Sequence, residues 1–309
     1  MTEADRPAWI QNLLGEQNFE RVTKSLSGSE LQSVLLAVMH ARAGARTPAQ
    51  VLGQYEGDAF CRPAAVDPRE ALAIDVELFS AAADFEAVEL SPVAPLGACS
   101  SFALTDQNRV LSALRTTEVV ADPTNVLALE CARRLRGNDR SALHLATSQR
   151  VLRAQPVPNL PGYTPHFRLF VLASGGREQR DHAFTVDSLV HLVRTVLAAL
   201  DRLERRGYAF GERRIEILAT TERAELGDRI ANDVGGNVER KTLTHPYYTG
   251  GLRYTLWTRP PGGSSPAPLA DGGAFDWLAR LTSNRRAVYV ASGVGSQLIA
   301  LLFRSAALR

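Results

Sequence analysis

Lysine is nearly missing from this 309-residue chain: Lys24 and Lys241 are the two, and arginine supplies the remaining cationic side chains. That bias fits a GC-rich genome, and no glycine-rich segment carries a Walker lysine. Cysteine is scarce. Cys61, Cys99 and Cys131 are odd in number and no two stand at metal-ligand spacing, which argues against a disulfide framework and for a reduced, cytoplasmic compartment. An excess of either charge is lacking, with net charge +2 and pI near 8.5, so charge alone does not point to nucleic acid. Long apolar runs are also lacking. The longest candidate, "DSLVHLVRTVLAAL", contains Asp, His and Arg, so no membrane is expected. The opening "MTEADRPAWIQ" is acidic and polar and does not read as a signal peptide.

What is present is material for a core. Hydrophobic residues make up 45% and charged residues 22% of the chain, enough for one large domain or two ordinary ones. Residues 7 to 54 read as helices. Ser27 or Ser29 caps "ELQSVLLAVMHARAG", which Gly44 stops, and Thr47 with Pro48 opens another helix. The boundaries drawn are a helical N-terminal extension over 1–60 and a core domain over 61–309, linked through "CRPAAVDPRE".

From Asp67 the pattern changes. "DPREALAIDVELFSAAADF" reads as a capped amphipathic helix, and "FEAVELSPVAPLG" as a strand ended by Pro92 and Pro95. An apolar alternation in "QNRVLSALRTTEVVADPTN" stops at Asp122-Pro123, and a helix follows to Gly137. "RVLRAQ" and "HFRLFVLAS" read as strands around the turn-rich "PVPNLPGYTP". The longest helix is expected from Asp187 to Gly207. Then come strand "RRIEILATT", a short helix, strands "NVERKTLTH" and "GLRYTLWTR", a flexible loop "PPGGSSPAPLADGG", helix "AFDWLARLT", strand "RAVYVAS" and helix "SQLIALLFR". Paired strands without strict alternation of helices predict an α+β fold with an antiparallel sheet flanked by helices.

Few segments carry chemistry openly. Arg153 and Arg168, near the two ends of a long hairpin, would clamp a phosphate or carboxylate if both turn inward; the alternative is two solvent-facing strand arginines. "SGVGSQL" resembles a glycine turn into a helix N-terminus, and "ASGGREQRDH" offers a Gly-Gly turn with charges. Ser100 and Ser101 after Cys99 do not form a nucleophile elbow. His144, His166, His182 and His245 are scattered, and no zinc spacing exists, so no metal ligand is assigned. The sharpest stretch is "HPYYTGGLRYTLWTR", where a doubled aromatic and two glycines head a strand.

In order, these pieces resemble the catalytic core of class II aminoacyl-tRNA synthetases, most closely the histidyl-tRNA synthetase branch, which includes the non-catalytic regulatory subunit of ATP phosphoribosyltransferase. The resemblance runs from about Asp67 to Arg309. "REALAIDVELFSAAADFEAVELSP" looks like motif 1, with Pro92 as its proline, and implies a homodimer through 67–92. "VADPT" occupies the Pro-Glu-Gly-Thr segment, so Asp122 stands for the carboxylate that meets the substrate amino group, with Thr124 beside it. "VLRAQ" looks like motif 2, with Arg153 at the α-phosphate and Gln155 where the family has an acid. "HFRLF" is similar to the return strand, with Arg168 on it. "HPYYTGGLRYTLW" is similar to the strand flooring the amino-acid pocket, which implicates Tyr247, Tyr248, Gly250 and Gly251. "GGAFDWLARL" resembles the Gly-Gly-Arg-Tyr-Asp-Gly-Leu helix start, and "AVYVASGVGSQL" takes the place of motif 3.

Departures carry equal weight. The motif 3 arginine falls on or beside Ser296, and other family positions fall near Leu243 (an arginine), at Ala274 (an arginine) and near Leu172 (a glutamine). No segment stands for the anticodon-binding domain, so tRNA is not an expected partner. Lost cations cost stabilisation at phosphorus, on the order of 2–4 kcal/mol each by analogy with lost oxyanion donors. Three expectations follow. The first is a catalytically reduced paralogue that binds an amino acid or nucleotide-like ligand and serves as a regulatory or partner subunit, with an enzyme as its partner. The second is an ATP-dependent ligase forming an acyl-adenylate for a non-tRNA acceptor. The third is an interaction scaffold with a vestigial pocket. Bound ATP or AMP with Mg2+ is the cofactor that the resemblance implies.

Overall fold

A computed structural model describes residues 5–136, 142–157, 163–263 and 265–305. The expected helix stop at Gly137, the middle of the "PVPNLPGYTP" loop and Ser264 lie outside them.

The chain begins with α1 (Asp5–Leu14), α2 (Glu16–Glu20), α3 (Gly28–Gly44) and α4 (Pro48–Gly57). Local chemistry explains their starts. The Ser27 hydroxyl accepts the Glu30 N–H while the Glu30 carboxylate accepts the Ser27 N–H, and Thr47 and Gln50 repeat the arrangement. Nothing in α2, α3 or α4 is buried. Val38, Met39 and Leu52 remain 52%, 57% and 56% exposed, so the extension's apolar side chains lie outside the core.

Next comes α5 (Pro68–Ala81), capped by Asp67, whose carboxylate accepts the Arg69 N–H. A two-residue strand β1 (Glu86–Ala87) leads to β2 (Val93–Pro95), β3 (Ser112–Ala113) and β4 (Thr117–Val119). These last three form a small antiparallel sheet in the order β2-β4-β3. Its interior is held by Glu118, whose buried carboxylate accepts the N–H groups of Gly97 and Cys99. Then follow α6 (Pro123–Arg136), β5 (Ala142–Leu152), β6 (His166–Arg177), α7 (Ala183–Glu204), β7 (Arg213–Ala219), α8 (Ala224–Val234), β8 (Val238–Thr242), β9 (Leu252–Thr258), β10 (Ala267–Phe275), α9 (Trp277–Thr282), β11 (Ala287–Val294) and α10 (Ser296–Leu302).

Among the described residues the main sheet has eight strands in the order β1-β5-β6-β11-β10-β9-β7-β8. Every inner pairing is antiparallel, and only the edge strands β1 and β8 join in parallel. Helices cover both faces. One face buries Leu192, Leu200 and Phe170 with α5, α7, α8 and α10; the other buries Leu127, Tyr289 and Trp277 under α6 and α9. This is the α+β architecture expected, with the N-terminal helices present.

Four details differ from the sequence expectation. The "flexible loop" at 260–273 contains most of β10, a central strand. Its glycines are there because neighbouring backbones leave no room: a Cβ on Gly272 would lie 2.4 Å from the Ala291 carbonyl oxygen. Gly175 and Gly176 are not a turn but lie within β6, where Cys131 packs 3.1 Å from the position of a Gly175 Cβ. β5 starts at Ala142 rather than near Arg150, and α7 starts at Ala183 rather than Asp187. β8 lies at the sheet edge. It pairs with β7, because α8 connects the two as a crossover.

Candidate functional site

Asp122 stands at the head of α6. Its Oδ1 accepts the Thr124 N–H at 3.0 Å and the Thr124 hydroxyl at 2.7 Å, which fixes the carboxylate at the helix start. That leaves Oδ2 facing outward, where the Tyr247 hydroxyl donates to it at 3.3 Å and Arg153 Nη2 stands 3.6 Å away. Arg153 lies just past the end of β5. Its Nε donates to the Ala121 carbonyl at 3.0 Å, and its guanidinium lies 5.2 Å from the centre of the Phe167 ring. The pair is loose and partly open to solvent, so both groups keep capacity for a ligand.

A second triplet repeats the pattern beside the first. Tyr248 donates to Asp271 Oδ2 at 2.6 Å, and Arg253 Nη2 donates to the same oxygen at 2.7 Å. The Arg253 guanidinium also stands 4.9 Å from the Tyr248 ring centre. The two tyrosine rings meet edge to face at 5.2 Å, so the Arg153–Asp122–Tyr247 and Arg253–Asp271–Tyr248 sets adjoin. Burial is the main cause pushing both phenols above their ordinary range. The charge of Asp122 adds to it at Tyr247, as that of Asp271 does at Tyr248, so both remain neutral donors. Behind them Phe275, Trp277 and Tyr289 stack into the buried face of the sheet.

These groups line a cavity of about 530 Å³, with Gln155 at its edge, which is room for an amino acid or a nucleotide. The convergence expected of Arg153, Asp122, Tyr247 and Tyr248 therefore exists. Arg168 has a different setting. It faces Arg150 in the β5–β6 register, not Arg153, and its guanidinium is held by Asp75 of α5 at 2.6 Å and by the Ser148 hydroxyl at 2.9 Å. Asp75 is only 5% exposed, so this ion pair ties α5 to the sheet.

The glycines after the tyrosines make room for protein. A Cβ on Gly250 would lie 2.6 Å from Ala274, and Gly251 has φ +76 in the turn into β9. His245 lines an adjoining pocket that shares Asp122, Arg153 and Tyr247 with this cavity, and its Nδ1 accepts the Tyr247 N–H at 3.2 Å. The other candidate histidines are elsewhere: His144 bonds to Ser174, His166 to Arg62 and Arg150, and His182 to Glu178. Cys99 is buried, and burial pushes its thiol up to about 12, so it is no thiolate nucleophile. Ser296, on or beside which the resemblance puts the motif 3 arginine, is buried in the first turn of α10, a seven-residue helix.

Neither Asp271 nor Arg253 is among the site residues that the sequence singles out. Alternation along β9 held the signal: Arg253, Thr255 and Trp257 line the cavity while Tyr254 and Leu256 enter the core. Among the described residues no group of three or more His, Cys, Asp or Glu side chains is placed to hold a metal ion.

No protein-family model matches the sequence, and no curated protein matches it. Solved structures do match. An ATP phosphoribosyltransferase regulatory subunit/histidyl-tRNA synthetase from Bacillus halodurans aligns over 78% of this chain and 81% of its own, at TM-score 0.58 and 15% identity. A histidine–tRNA ligase subunit from Alicyclobacillus acidocaldarius aligns over 77% of this chain and 96% of its own, at TM-score 0.56 and 14% identity. Histidyl-tRNA synthetase from Nostoc aligns over 77% and 72%, at TM-score 0.56 and 12% identity. The fold of this chain is that of the class II aminoacyl-tRNA synthetase core as histidyl-tRNA synthetases and their regulatory-subunit relatives display it.

Proposed function

We propose that the protein is a catalytically reduced, histidyl-tRNA-synthetase-like subunit that binds an amino acid or nucleotide-like ligand and regulates or accompanies a partner enzyme. The carrying observation is the cavity where Arg153, Asp122, Tyr247 and Tyr248 converge, and the sequence has no arginine between Arg286 and Arg304, where the resemblance calls for one on or beside Ser296. Such a site can grip an ammonium and a carboxylate or phosphate. It offers fewer cations to a phosphoryl-transfer transition state. The uncovered apolar residues of α3 and α4 support a role beside another protein. Leu72 and Val76, 59% and 58% exposed on α5, support a homodimer through 67–92.

Binding is tested by thermal shift with histidine, other amino acids, ATP and AMP, since a ligand that binds the native state raises its apparent stability. Arg153→Ala is expected to weaken the responding ligand by about 30-fold, near 2 kcal/mol, through loss of one charged partner. A flat response to every ligand would instead leave a scaffold with a vestigial pocket. The competing activity, acyl-adenylate formation from ATP, is favoured by the position of Arg153. Pyrophosphate exchange with any amino acid, in magnesium or manganese, abolished by Arg153→Ala, would establish that enzyme in place of the reduced subunit. Sedimentation at micromolar concentration is expected to show a dimer, and a monomer there would remove the α5 interface.

A further inference from the structure

Within the resemblance Asp271 falls just before "GGAFDWLARL", and Arg253, though inside "HPYYTGGLRYTLW", takes no role from the family. Their arrangement is specific. Both donors to Asp271 land on Oδ2, so Oδ1 is left to accept from a ligand. Arg253 uses Nη2 for that bond, and its Nε is buried with no partner, so the guanidinium keeps hydrogen-bonding capacity that the protein does not use. The pair is also neutral in sum. An acidic group offered to Arg253 meets the Asp271 charge, and a basic group offered to Asp271 meets the Arg253 charge. An uncharged group that donates and accepts at adjacent atoms meets neither penalty and can bond to both.

We infer that Arg253 and Asp271 form the specificity-determining subsite of the pocket and select a ligand whose far end is an uncharged donor–acceptor group of the carboxamide kind. This rests on the proposed ligand-binding function, with Asp122 and Arg153 taking the ammonium and carboxylate of an α-amino acid. Tyr248 fixes the Asp271 carboxylate from below. The ring cannot retreat, because the backbone at Gly273 passes against it: a Cβ there would lie 2.5 Å from Tyr248 Cδ1. The selection is therefore made by charge balance in a fixed frame.

The test uses L-glutamine, L-glutamate and L-lysine as probes, with affinities measured by calorimetry near neutral pH on the full chain. Wild type is expected to prefer glutamine to each of the others by on the order of tenfold. Asp271→Asn leaves Arg253 uncompensated and should turn the preference to glutamate. Arg253→Gln leaves Asp271 uncompensated and should turn it to lysine. The wild-type ranking and the two variants are independent readouts, so one variant that does not fold leaves the others to decide. An unchanged ranking across the folded proteins, or a wild type that prefers glutamate or lysine, overturns the subsite while ligand binding at Asp122 and Arg153 stands. If no probe binds wild type, the subsite falls; if histidine, ATP and AMP also fail to bind, the proposed function falls with it.

Discussion

Gly273→Ala is expected to destabilise the fold by about 3 kcal/mol and to abolish ligand-induced stabilisation. The added Cβ would lie 2.3 Å from the Leu252 carbonyl oxygen and 2.5 Å from Tyr248 Cδ1, closer than packed carbons come. One obstacle is the backbone of β9, which cannot swing aside without breaking the sheet, so the strain passes to the tyrosine. Overpacking in a tight core costs about 1–3 kcal/mol, and this position belongs at the upper end. Gly293→Ala supplies the control, since a Cβ there meets nothing within 4 Å and surface-like changes stay within about 0.5 kcal/mol. Urea unfolding of both variants decides the matter. Equal midpoints for Gly273→Ala and Gly293→Ala would show that β9 and β10 do not approach as closely as described.

Trp277→Ala is expected to cost about 3–5 kcal/mol, the loss seen when a large aromatic leaves a packed core. Trp277 is fully buried, 4.0 Å from Phe275 between ring centres and 5.9 Å from Tyr289, behind the tyrosines of the pocket floor. Its removal would open a void beneath Tyr247, whose ring it also contacts at 5.6 Å. The melting temperature should fall on the order of 10 °C. Trp277→Phe should lose far less, because the indole Nε1 has no hydrogen-bond partner to forfeit. Near-equal melting temperatures for the alanine variant and the wild type would mean that the stack does not support the pocket.

Much of the architecture could be read in advance because its causes are local. Ser27, Thr47 and Asp67 cap helices through bonds to residues two or three positions away, and such bonds need nothing from the rest of the chain. The motif-bearing segments were legible for a different reason: their order along the chain matches their order in a known fold. β10 was illegible because its signals were those of a loop. Pro268, Gly272 and Gly273 weaken an isolated strand, and they are tolerated here only because Tyr254 and Ala291 press on both sides. Asp271 was hidden by the same misreading, since a carboxylate in a presumed loop has no reason to face a pocket.

Arg168 shows where spacing stops being informative. Two arginines fifteen positions apart on facing strands suggest a clamp, but side chains alternate between the faces of a sheet. The register places Arg168 opposite Arg150, and Asp75 holds its guanidinium, while the residue still borders the cavity shared by Arg153 and Asp122.

By itself the sequence determined the capped starts at Ser27, Thr47 and Asp67, the α+β class, the order of the motifs and the identity of Arg153, Asp122, Tyr247 and Tyr248 as pocket residues. Capping, periodicity and chain order depend on neighbours a few residues away, so one dimension suffices for them. Only the tertiary structure decided that Asp271 and Arg253 complete a second Arg–Asp–Tyr set, that Asp75 of α5 pairs with Arg168, and that a glycine-rich stretch is a central strand. Those outcomes depend on register and on how closely neighbouring backbones pass, and both are set by contacts between segments far apart in the chain.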